Sequence, residues 1–260
     1  MENLKISIIQ SSLVWEDREK NLLNFSEKIS AIKEEIDLIL LPEMFSTGFS
    51  MNASALAEKM DGLSIQWMKK IALEKNCTIA GSLIIEENGN YFNRLIWMKP
   101  NGYEYYDKRH LFSLAGEEKT YKAGEKKIIV ELKGWRILPL ICYDLRFPVW
   151  SRRSKKSDYD LLLYLANWPE KRIYAWKQLL LARAIENQSY TIGLNRFGND
   201  GNQIFHSGDS AVIDFKGEYL DKVNNIGEFT KTYTLSKEPL DIFRKQFAFF
   251  SDSDSFEINL

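Results

Sequence analysis

The chain has little of the residue types that build disulfide-bonded, metal-binding or membrane-spanning proteins. It contains two cysteines and two histidines among 260 residues, which are too few for a disulfide framework and lack the spacing of a zinc site. No apolar segment approaches the roughly 20 residues that cross a bilayer. Basic residues are scattered and the formal net charge is −1, so neither nucleic acid nor a membrane is an expected partner. No metal is expected, and the reducing cytoplasm is the expected location.

The composition predicts one domain over residues 1–260. No linker, repeat or low-complexity run divides the chain, and 45% hydrophobic residues are enough for a sizeable core. The segment 239–260 is very apolar for a terminus, with aromatic side chains at Phe243, Phe247 and Phe249. Because such a segment must bury its aromatic surface, we expect it to pack on the body or on a second subunit.

Apolar runs alternate with stretches of helical periodicity along the chain. This alternation predicts an α/β layered domain, and periodicity alone favours a doubly wound sheet. We expect a hairpin across the turn at 100–102 and a second strand pair around the turn at 216–217. The predicted strands are 5–10, 37–41, 78–85, 91–98, 103–107, 134–142, 160–166, 190–196, 210–215 and 229–235. The predicted helices are 17–36, 65–75 with Ser64 as N-cap, and 173–188.

The segment LICYDLRFPV at 140–149 places a thiol at the end of a predicted buried strand. Cys142 stands where the apolar run gives way to a polar turn, a position suited to nucleophilic attack. Two other predicted strands end in groups that such a thiol needs, since Glu43 closes DLILLPE and Lys108 follows YEYYD. A carboxylate can take the thiol proton and an ammonium can stabilise an oxyanion. The other cysteine, Cys77, opens a strand and is interpreted as core packing.

Three segments, LLPEMFSTGF, YDKRHLF and LICYDLRFP, resemble the signature blocks of the nitrilase (carbon–nitrogen hydrolase) superfamily in order and spacing. The resemblance covers nearly the whole chain and aligns the family's Glu-Lys-Cys triad with Glu43, Lys108 and Cys142. It implies a four-layer αββα sandwich of two mixed sheets flanked by helices, assembly as a homodimer or higher homo-oligomer, and no cofactor. The stretches GEEKTYKAGEK and ANWPEKRIYAWKQLLLARAIENQ are most similar to bacterial omega-amidases. Those enzymes hydrolyse the terminal amide of 2-oxoglutaramate and of similar omega-amides of dicarboxylic acids.

The resemblance also implies a role for each residue of the triad. Cys142 attacks the amide carbon, and the oxyanion forms against Lys108 and the backbone N–H of Tyr143. Glu43 takes the thiol proton, gives it to the leaving ammonia and then activates water.

A fourth catalytic residue is expected in the loop after the lysine block. The family has a second glutamate there, which aligns with Glu117, although the adjacent Glu118 leaves a shift of one residue open. Its expected role is to orient Lys108 and the substrate amide.

The distal carboxylate of an omega-amide needs a cation, and the fork of an arginine suits it. Arg146, four residues past Cys142, is the first candidate, and a structural ion pair with Asp144 or Glu170 is the alternative. The expected walls of the pocket are the aromatic residues Trp168, Phe45, Tyr143 and Phe112.

Other readings of the sequence stay open at this point. Inside the superfamily, the substrate is alternatively an N-carbamoyl amine or amino acid, an aliphatic amide or a nitrile. A papain-like Cys-His hydrolase would need His110 or His206 as its base, but no Cys-His signature surrounds Cys142. A serine hydrolase is disfavoured because G-x-S-x-G is absent. An alternative from a different functional class is that the chain is a catalytically silent scaffold, which binds a partner through its aromatic C-terminal surface.

Overall fold

The computed structural model describes residues 3–221 and 226–258, and within them strands and helices alternate along most of the chain. The strands are β1 (Leu4–Gln10), β2 (Leu38–Leu40), β3 (Thr78–Glu87), β4 (Asn90–Lys99), β5 (Gly102–Asp107), β6 (Val130–Leu132), β7 (Trp135–Ile141), β8 (Leu161–Ala166), β9 (Tyr190–Asn195), β10 (Phe197–Asn199), β11 (Phe205–Ser207), β12 (Ala211–Ile213) and β13 (Phe229–Leu235). The α-helices are α1 (Arg18–Ser30), α2 (Ala53–Leu56), α3 (Leu63–Lys75), α4 (Glu117–Thr120), α5 (Pro148–Ser151), α6 (Ile173–Asn187) and α7 (Lys237–Gln246). Short 3-10 helices cover Ser113–Ala115, Cys142–Arg146, Glu170–Arg172 and Phe249–Asp252.

Two mixed sheets carry the fold. The first has six strands in the order β13-β1-β2-β3-β4-β5, and the second has five in the order β12-β9-β8-β7-β6. In each sheet three central strands run parallel, β1-β2-β3 in the first and β7-β8-β9 in the second, and antiparallel strands flank them. The expected pair of mixed sheets is therefore confirmed.

The alternation of side chains along each strand separates the layers. In the β2 region Leu38 and Leu40 belong to the core between the sheets, while Ile39 and Leu41 belong to the core under α1 and α3. This is the period of two that places successive side chains on opposite faces. On the far side, α6 buries Trp176, Leu180 and Ala184 against the second sheet. The order helix, sheet, sheet, helix is the predicted αββα sandwich.

Two predicted helix boundaries are wrong. The helix predicted over 17–36 ends at Ser30, where the last turn tightens because the N–H of Ile32 bonds the carbonyl of Ile29 at 3.1 Å. Ser64 does not cap α3. The helix begins at Leu63 after Gly62, and the N–H of Ser64 donates to the Glu58 carboxylate at 2.9 Å, so a carboxylate from the preceding loop satisfies this free donor.

One predicted hairpin is confirmed and the other is wrong. β4 and β5 pair with Lys99 opposite Gly102, as the turn residues predict. The segments predicted as a pair around 216–217 belong to different sheets, since β12 pairs with β9 and β13 pairs with β1. Both are edge strands of their sheets. The turn at 216–217 itself forms, because Ile213 bridges Tyr219 across it, but β13 begins only at Phe229 and pairs with β1 at the other end of the chain.

The C-terminal segment packs on the body with its first half. In α7, Leu240 is fully buried and Phe243 lies 5.1 Å from Phe215 between ring centroids. Phe247 remains 57% exposed, although its ring contacts Phe243 and Phe249. None of the helices in the described part of the chain is long and apolar enough to cross a membrane.

Candidate active site

Three strands deliver polar side chains to one edge of the sandwich. Glu43 follows β2, Lys108 follows β5, and Cys142 follows β7. β5 runs in the same direction as β2, because two antiparallel pairings separate it from β3. Contacts between the sheets close the site, since the backbone N–H of Asn167, just after β8, donates to Glu43 Oε2 at 2.8 Å.

A buried ammonium between two carboxylates forms the centre of this site. Lys108 Nζ donates to Glu43 Oε1 at 2.9 Å and to both carboxylate oxygens of Glu117 at 3.0 and 2.9 Å. All three side chains are at most 1% exposed. Glu118, the neighbour that the sequence left open, is exposed. The structure therefore brings Glu117, and not Glu118, to Lys108.

Two asparagines hold the carboxylates in place. Asn93 Nδ2 donates to Glu43 at 2.8 Å and to Glu117 at 3.2 Å, and Asn167 Nδ2 donates to the Glu43 carbonyl at 2.6 Å. Ser82 extends the chain of hydrogen bonds by donating to Asn93 and accepting from the N–H of Met44. Sequence reasoning missed both asparagines. The available signal was an amide side chain in a predicted buried strand or directly after one.

The charges of the cluster shift the pKa values of its members. Burial alone lowers the pKa of Lys108, but the carboxylates of Glu117 and Glu43 raise it above its ordinary value. Burial raises the pKa of Glu117, and the Lys108 ammonium opposes that shift. Lys108 therefore stays a cation at neutral pH, which is the form that stabilises an oxyanion.

Cys142 stands beside this cluster in a constrained backbone. Its φ is +41°, a left-handed conformation that is uncommon for residues other than glycine. Burial and the Glu43 charge raise the pKa of the thiol well above its ordinary value, while Lys108 and the Asn167 N–H act in the opposite direction. Cys142 therefore rests as a protonated thiol, which would need a base in order to act as a nucleophile. The next residue, Tyr143, lies at the N-terminal end of a 3-10 helix, where backbone N–H groups have no partner in the helix.

A fully buried carboxylate joins the end of the lysine strand to the cysteine turn. Asp144 Oδ2 accepts from the N–H of Ile141 at 3.0 Å and from the hydroxyl of Tyr106 at 2.8 Å. Asp144 Oδ1 accepts from the backbone N–H of His110 at 3.0 Å and lies 2.8 Å from its Nδ1. The residues on either side of Lys108 are therefore tied to the residues on either side of Cys142.

A cavity of about 540 Å³ opens onto the cluster, a volume suited to a small ligand. Arg146 lies over the ring of Trp168 at 4.8 Å, and Arg172 lies over the ring of Phe112 at 5.0 Å, measured from Cζ to the ring centroid. Tyr143 completes this aromatic wall, with its ring 5.0 Å from that of Phe112. The residues on its lining that bear on the chemistry are Glu43, Lys108, Cys142, Tyr143, Arg146, Trp168, Phe112, Asn167 and Arg172.

One residue predicted at the pocket lies elsewhere. Phe45 is fully buried in the core under α1 and α3, where its ring lies 5.7 Å from those of Phe25 and Trp67. A Cβ at Gly81 would lie 2.6 Å from the Phe45 ring, so the glycine makes room for it. The turn after Glu43, where Met44 has a φ of +43°, directs the Phe45 side chain away from the cavity.

The two histidines are engaged outside the cluster. His110 pairs with Asp144, and its ring stacks on Phe147 with centroids 3.8 Å apart. His206 lines the cavity, but its Nδ1 faces the carbonyls of Ile204 and Gly198, and burial with the Arg196 charge lowers its pKa to about 4. Within residues 3–221 and 226–258, no group of three or more His, Cys, Asp or Glu side chains is arranged to hold a metal ion.

Comparison with known proteins places this geometry in a family. The carbon-nitrogen hydrolase family model matches residues 5–237. The chain belongs to the carbon-nitrogen hydrolase family. The family expected from the three sequence blocks is therefore confirmed.

Carbon-nitrogen hydrolases of similar sequence and structure are known from several bacteria. The chain is 45% identical to the omega-amidase YafV of Escherichia coli (strain K12) over 259 residues, which covers 99% of this chain and 100% of that protein. It is 34% identical to the 2-oxoglutaramate amidase of Bacillus subtilis (strain 168) over 83% of this chain and 84% of that one. The crystal structure of XC1258 from Xanthomonas campestris, a CN-hydrolase superfamily protein with an arsenic adduct in its active site, superposes with a TM-score of 0.96 and 42% identity over 100% of both chains.

Proposed function

We propose that this chain is an omega-amidase, a cysteine-dependent hydrolase that cleaves the terminal amide of 2-oxoglutaramate, succinamate and similar dicarboxylic acid amides to carboxylate and ammonia. The observation that carries the proposal is the burial of Glu43, Lys108 and Cys142 side by side on the lining of one cavity. Identity of 45% to an omega-amidase over the full chain supports the same substrate class.

In the first half of the proposed reaction, Cys142 is acylated. The thiol proton passes to Glu43 as sulfur bonds to the amide carbon, because burial keeps the resting thiol protonated. The carbonyl oxygen becomes an oxyanion beside the Lys108 ammonium and the Tyr143 N–H. The proton on Glu43 then moves to the amide nitrogen, the carbon–nitrogen bond breaks, and ammonia leaves a thioester on Cys142.

In the second half, water cleaves the thioester. Glu43 takes a proton from water as the oxygen attacks the thioester carbon, and the carbon–sulfur bond breaks. The proton returns to the sulfur, so the thiol and the Glu43 carboxylate are restored. Glu117 is proposed to position Lys108 through its two short contacts to Nζ.

The distal carboxylate of the substrate is proposed to bind Arg146. This guanidinium lines the cavity and lies over Trp168, and in the described part of the chain neither Asp144 nor Glu170 forms an ion pair with it. Asp144 is instead occupied by Tyr106 and His110. Trp168, Tyr143 and Phe112 are proposed to wall the acyl chain.

Assembly and location are proposed from the same features. Ile242 and Phe247 of the C-terminal segment remain exposed, at 47% and 57%, and a second copy of the chain would cover such apolar surface, so we propose a homodimer or higher homo-oligomer. A free nucleophilic thiol needs a reducing compartment, which favours the cytoplasm.

Ammonia release from a small panel of compounds tests the proposal. The panel contains 2-oxoglutaramate, succinamate, glutamine, an N-carbamoyl amino acid and a simple nitrile, each with wild type, Cys142→Ala and Cys142→Ser. We expect release from the first two compounds, little from glutamine, and none in either variant. Cys77→Ser is the matched control, because Cys77 lies in the core away from the cavity.

The alternatives give different results in the same panel. Activity on the carbamoyl compound or the nitrile in place of the first two would keep the nucleophile and overturn the substrate. Silence across the panel, with no selective alkylation of Cys142, would favour a scaffold without catalysis.

A further inference from the structure

We propose that Arg172 is a second carboxylate-binding residue of the cavity and that, together with Arg146, it sets the preference for amides that carry a distal carboxylate. The inference deepens the proposed function and rests on it. Arg172 lies four residues past Trp168 in the segment WPEKR, at the end of the 3-10 helix Glu170–Arg172.

Arg172 is held at the cavity by its surroundings. Its side chain is half-buried and lines the cavity, and its guanidinium carbon lies 5.0 Å above the ring of Phe112. Lys171, the preceding residue, is exposed and does not line the cavity. Stacking on an aromatic face leaves the edge donors of a guanidinium free for an anion.

In the described part of the chain, the guanidinium donors of both arginines lack protein acceptors. Within residues 3–221 and 226–258, neither the guanidinium of Arg146 nor that of Arg172 takes part in a hydrogen bond or an ion pair. A guanidinium group can bind a carboxylate through two parallel N–H···O hydrogen bonds. An incoming carboxylate is therefore the missing acceptor.

The other acids on the cavity lining already have partners. Glu43 is paired with Lys108. Glu16 accepts from the hydroxyl of Ser50 at 2.5 Å. Asp200 Oδ1 accepts the backbone N–H groups of Asn202 and Ile204 at 2.8 and 2.9 Å. These acids stabilise the cluster and the loops around the cavity, so the arginines are left for the ligand.

Trp168 links the two arginines. Its ring lies under the Arg146 guanidinium, and its Nε1 donates to the backbone carbonyl of Arg172 at 2.8 Å. The Trp168 side chain therefore contacts the guanidinium of Arg146 and the backbone of Arg172 at the same time. An ionised carboxylate offers about four acceptor sites on two oxygens, so it can bind two guanidinium groups at once.

The test compares two substrates of the same shape. Succinamate carries the carboxylate, and 4-methylpentanamide replaces it with an uncharged branched end of similar size. The measured quantity is the ratio of kcat/KM for succinamate to kcat/KM for 4-methylpentanamide. We expect Arg172→Gln to lower this ratio by about 10- to 100-fold, the loss for a hydrogen bond to a charged group. The ratio for Arg172→Lys should lie between those of wild type and Arg172→Gln, because lysine keeps the positive charge but lacks the two parallel donors of the guanidinium group.

Lys171→Gln is the matched control, since it removes the same charge one residue away from an exposed position. Its ratio should stay within about twofold of wild type, because exposed charges are screened. Thermal melting checks the fold of each variant. Arg172→Met keeps a long stem against Phe112 if the glutamine variant does not fold.

The outcomes separate the two proposals. A wild-type ratio near one would overturn the omega-amidase assignment itself. A wild-type preference for succinamate that Arg172→Gln, folded as wild type, changes no more than Lys171→Gln would overturn the role of Arg172 alone. A selective loss in Arg172→Gln, partly restored in Arg172→Lys, would support it.

Discussion

Replacing Asp144 by asparagine should weaken both the fold and the active site, although Asp144 does not touch the substrate. The buried carboxylate receives two donors on each oxygen: the N–H of Ile141 and the hydroxyl of Tyr106 on one, and the N–H and Nδ1 of His110 on the other. An asparagine has one acceptor oxygen, so its NH2 group must face two of the four donors.

The loss of unfolding free energy depends on which of the four donors can become acceptors. The Tyr106 hydroxyl can rotate, and the His110 ring can change its tautomer, so each can become an acceptor. The backbone N–H of Ile141 or of His110 cannot. One buried backbone donor is therefore left without an acceptor, which costs about 1–3 kcal/mol of unfolding free energy. Because Ile141 directly precedes Cys142 and His110 lies two residues after Lys108, we also expect kcat/KM to fall by about 10- to 100-fold through misplacement of these two side chains.

Urea unfolding and initial rates of succinamate hydrolysis measure the two effects. Asp61→Asn is the control, because Asp61 is exposed and a surface change of this kind alters stability by about 0.5 kcal/mol or less. If Asp144→Asn matched Asp61→Asn in both stability and kcat/KM, the carboxylate would not be what couples the lysine strand to the cysteine turn.

The remaining predictions concern the two thiols and one close backbone contact. The rate of Cys142 alkylation by iodoacetamide should still rise with pH at pH 9, because burial and the Glu43 charge raise the pKa of the thiol. Glu43→Gln should shift this pH profile to lower pH, because it removes that charge. A rate that reaches a plateau below pH 8 in wild type would contradict the prediction. Cys77 should resist alkylation over the same range, because burial raises its pKa to about 12, and peptide mapping would reveal any label there. Gly124→Ala should lower the unfolding free energy by about 1–3 kcal/mol and reduce kcat, because a Cβ there would lie 2.1 Å from the carbonyl oxygen of Asp107, which precedes Lys108. Wild-type melting and rates in this variant would refute the prediction.

Local pattern predicted most strands but not how they pair. Apolar runs predicted β1, β2, β7 and β8, because strands that are buried on both faces consist mostly of consecutive apolar residues. The pairing of β13 with β1 joins opposite ends of the chain, and β12 pairs with β9 across the inserted β10–β11 hairpin. The turn predicted at 216–217 does form, with Ile213 bridging Tyr219 across it, but β13 pairs with β1 at the edge of the other sheet and not with β12. The layered sandwich was predicted from the family resemblance, not from periodicity.

Site residues were predicted correctly where their position at the end of a strand determines their location. They were not predicted where the location depends on the direction in which the side chain points. Glu43, Lys108 and Cys142 were named together from their blocks, and the structure brings them together. In the four-residue helix α4 each position turns by about 100°, which buries Glu117 and exposes Glu118. Phe45 was misplaced for the same reason, since the left-handed turn at Met44 reverses the direction of the next side chain.

Polar residues that support the cluster left a weak signal in the sequence. Asn93, Asn167 and Asp144 form hydrogen bonds with groups that are distant in sequence and come close only in the folded chain. Arg172 was hidden among charged residues of the segment PEKR, where nothing local distinguishes it from Lys171. The structure separates the two, because one lines the cavity and the other is exposed.

Acyl transfer through Cys142 is tested most directly by rapid-quench mass spectrometry of the wild-type enzyme during turnover of succinamate. We expect the intact protein to gain the mass of the substrate minus ammonia. We expect the peptide containing Cys142 to carry the added acyl group and the peptide containing Cys77 to lack it. Turnover without any adduct, together with retained activity in Cys142→Ala, would contradict acyl transfer through Cys142.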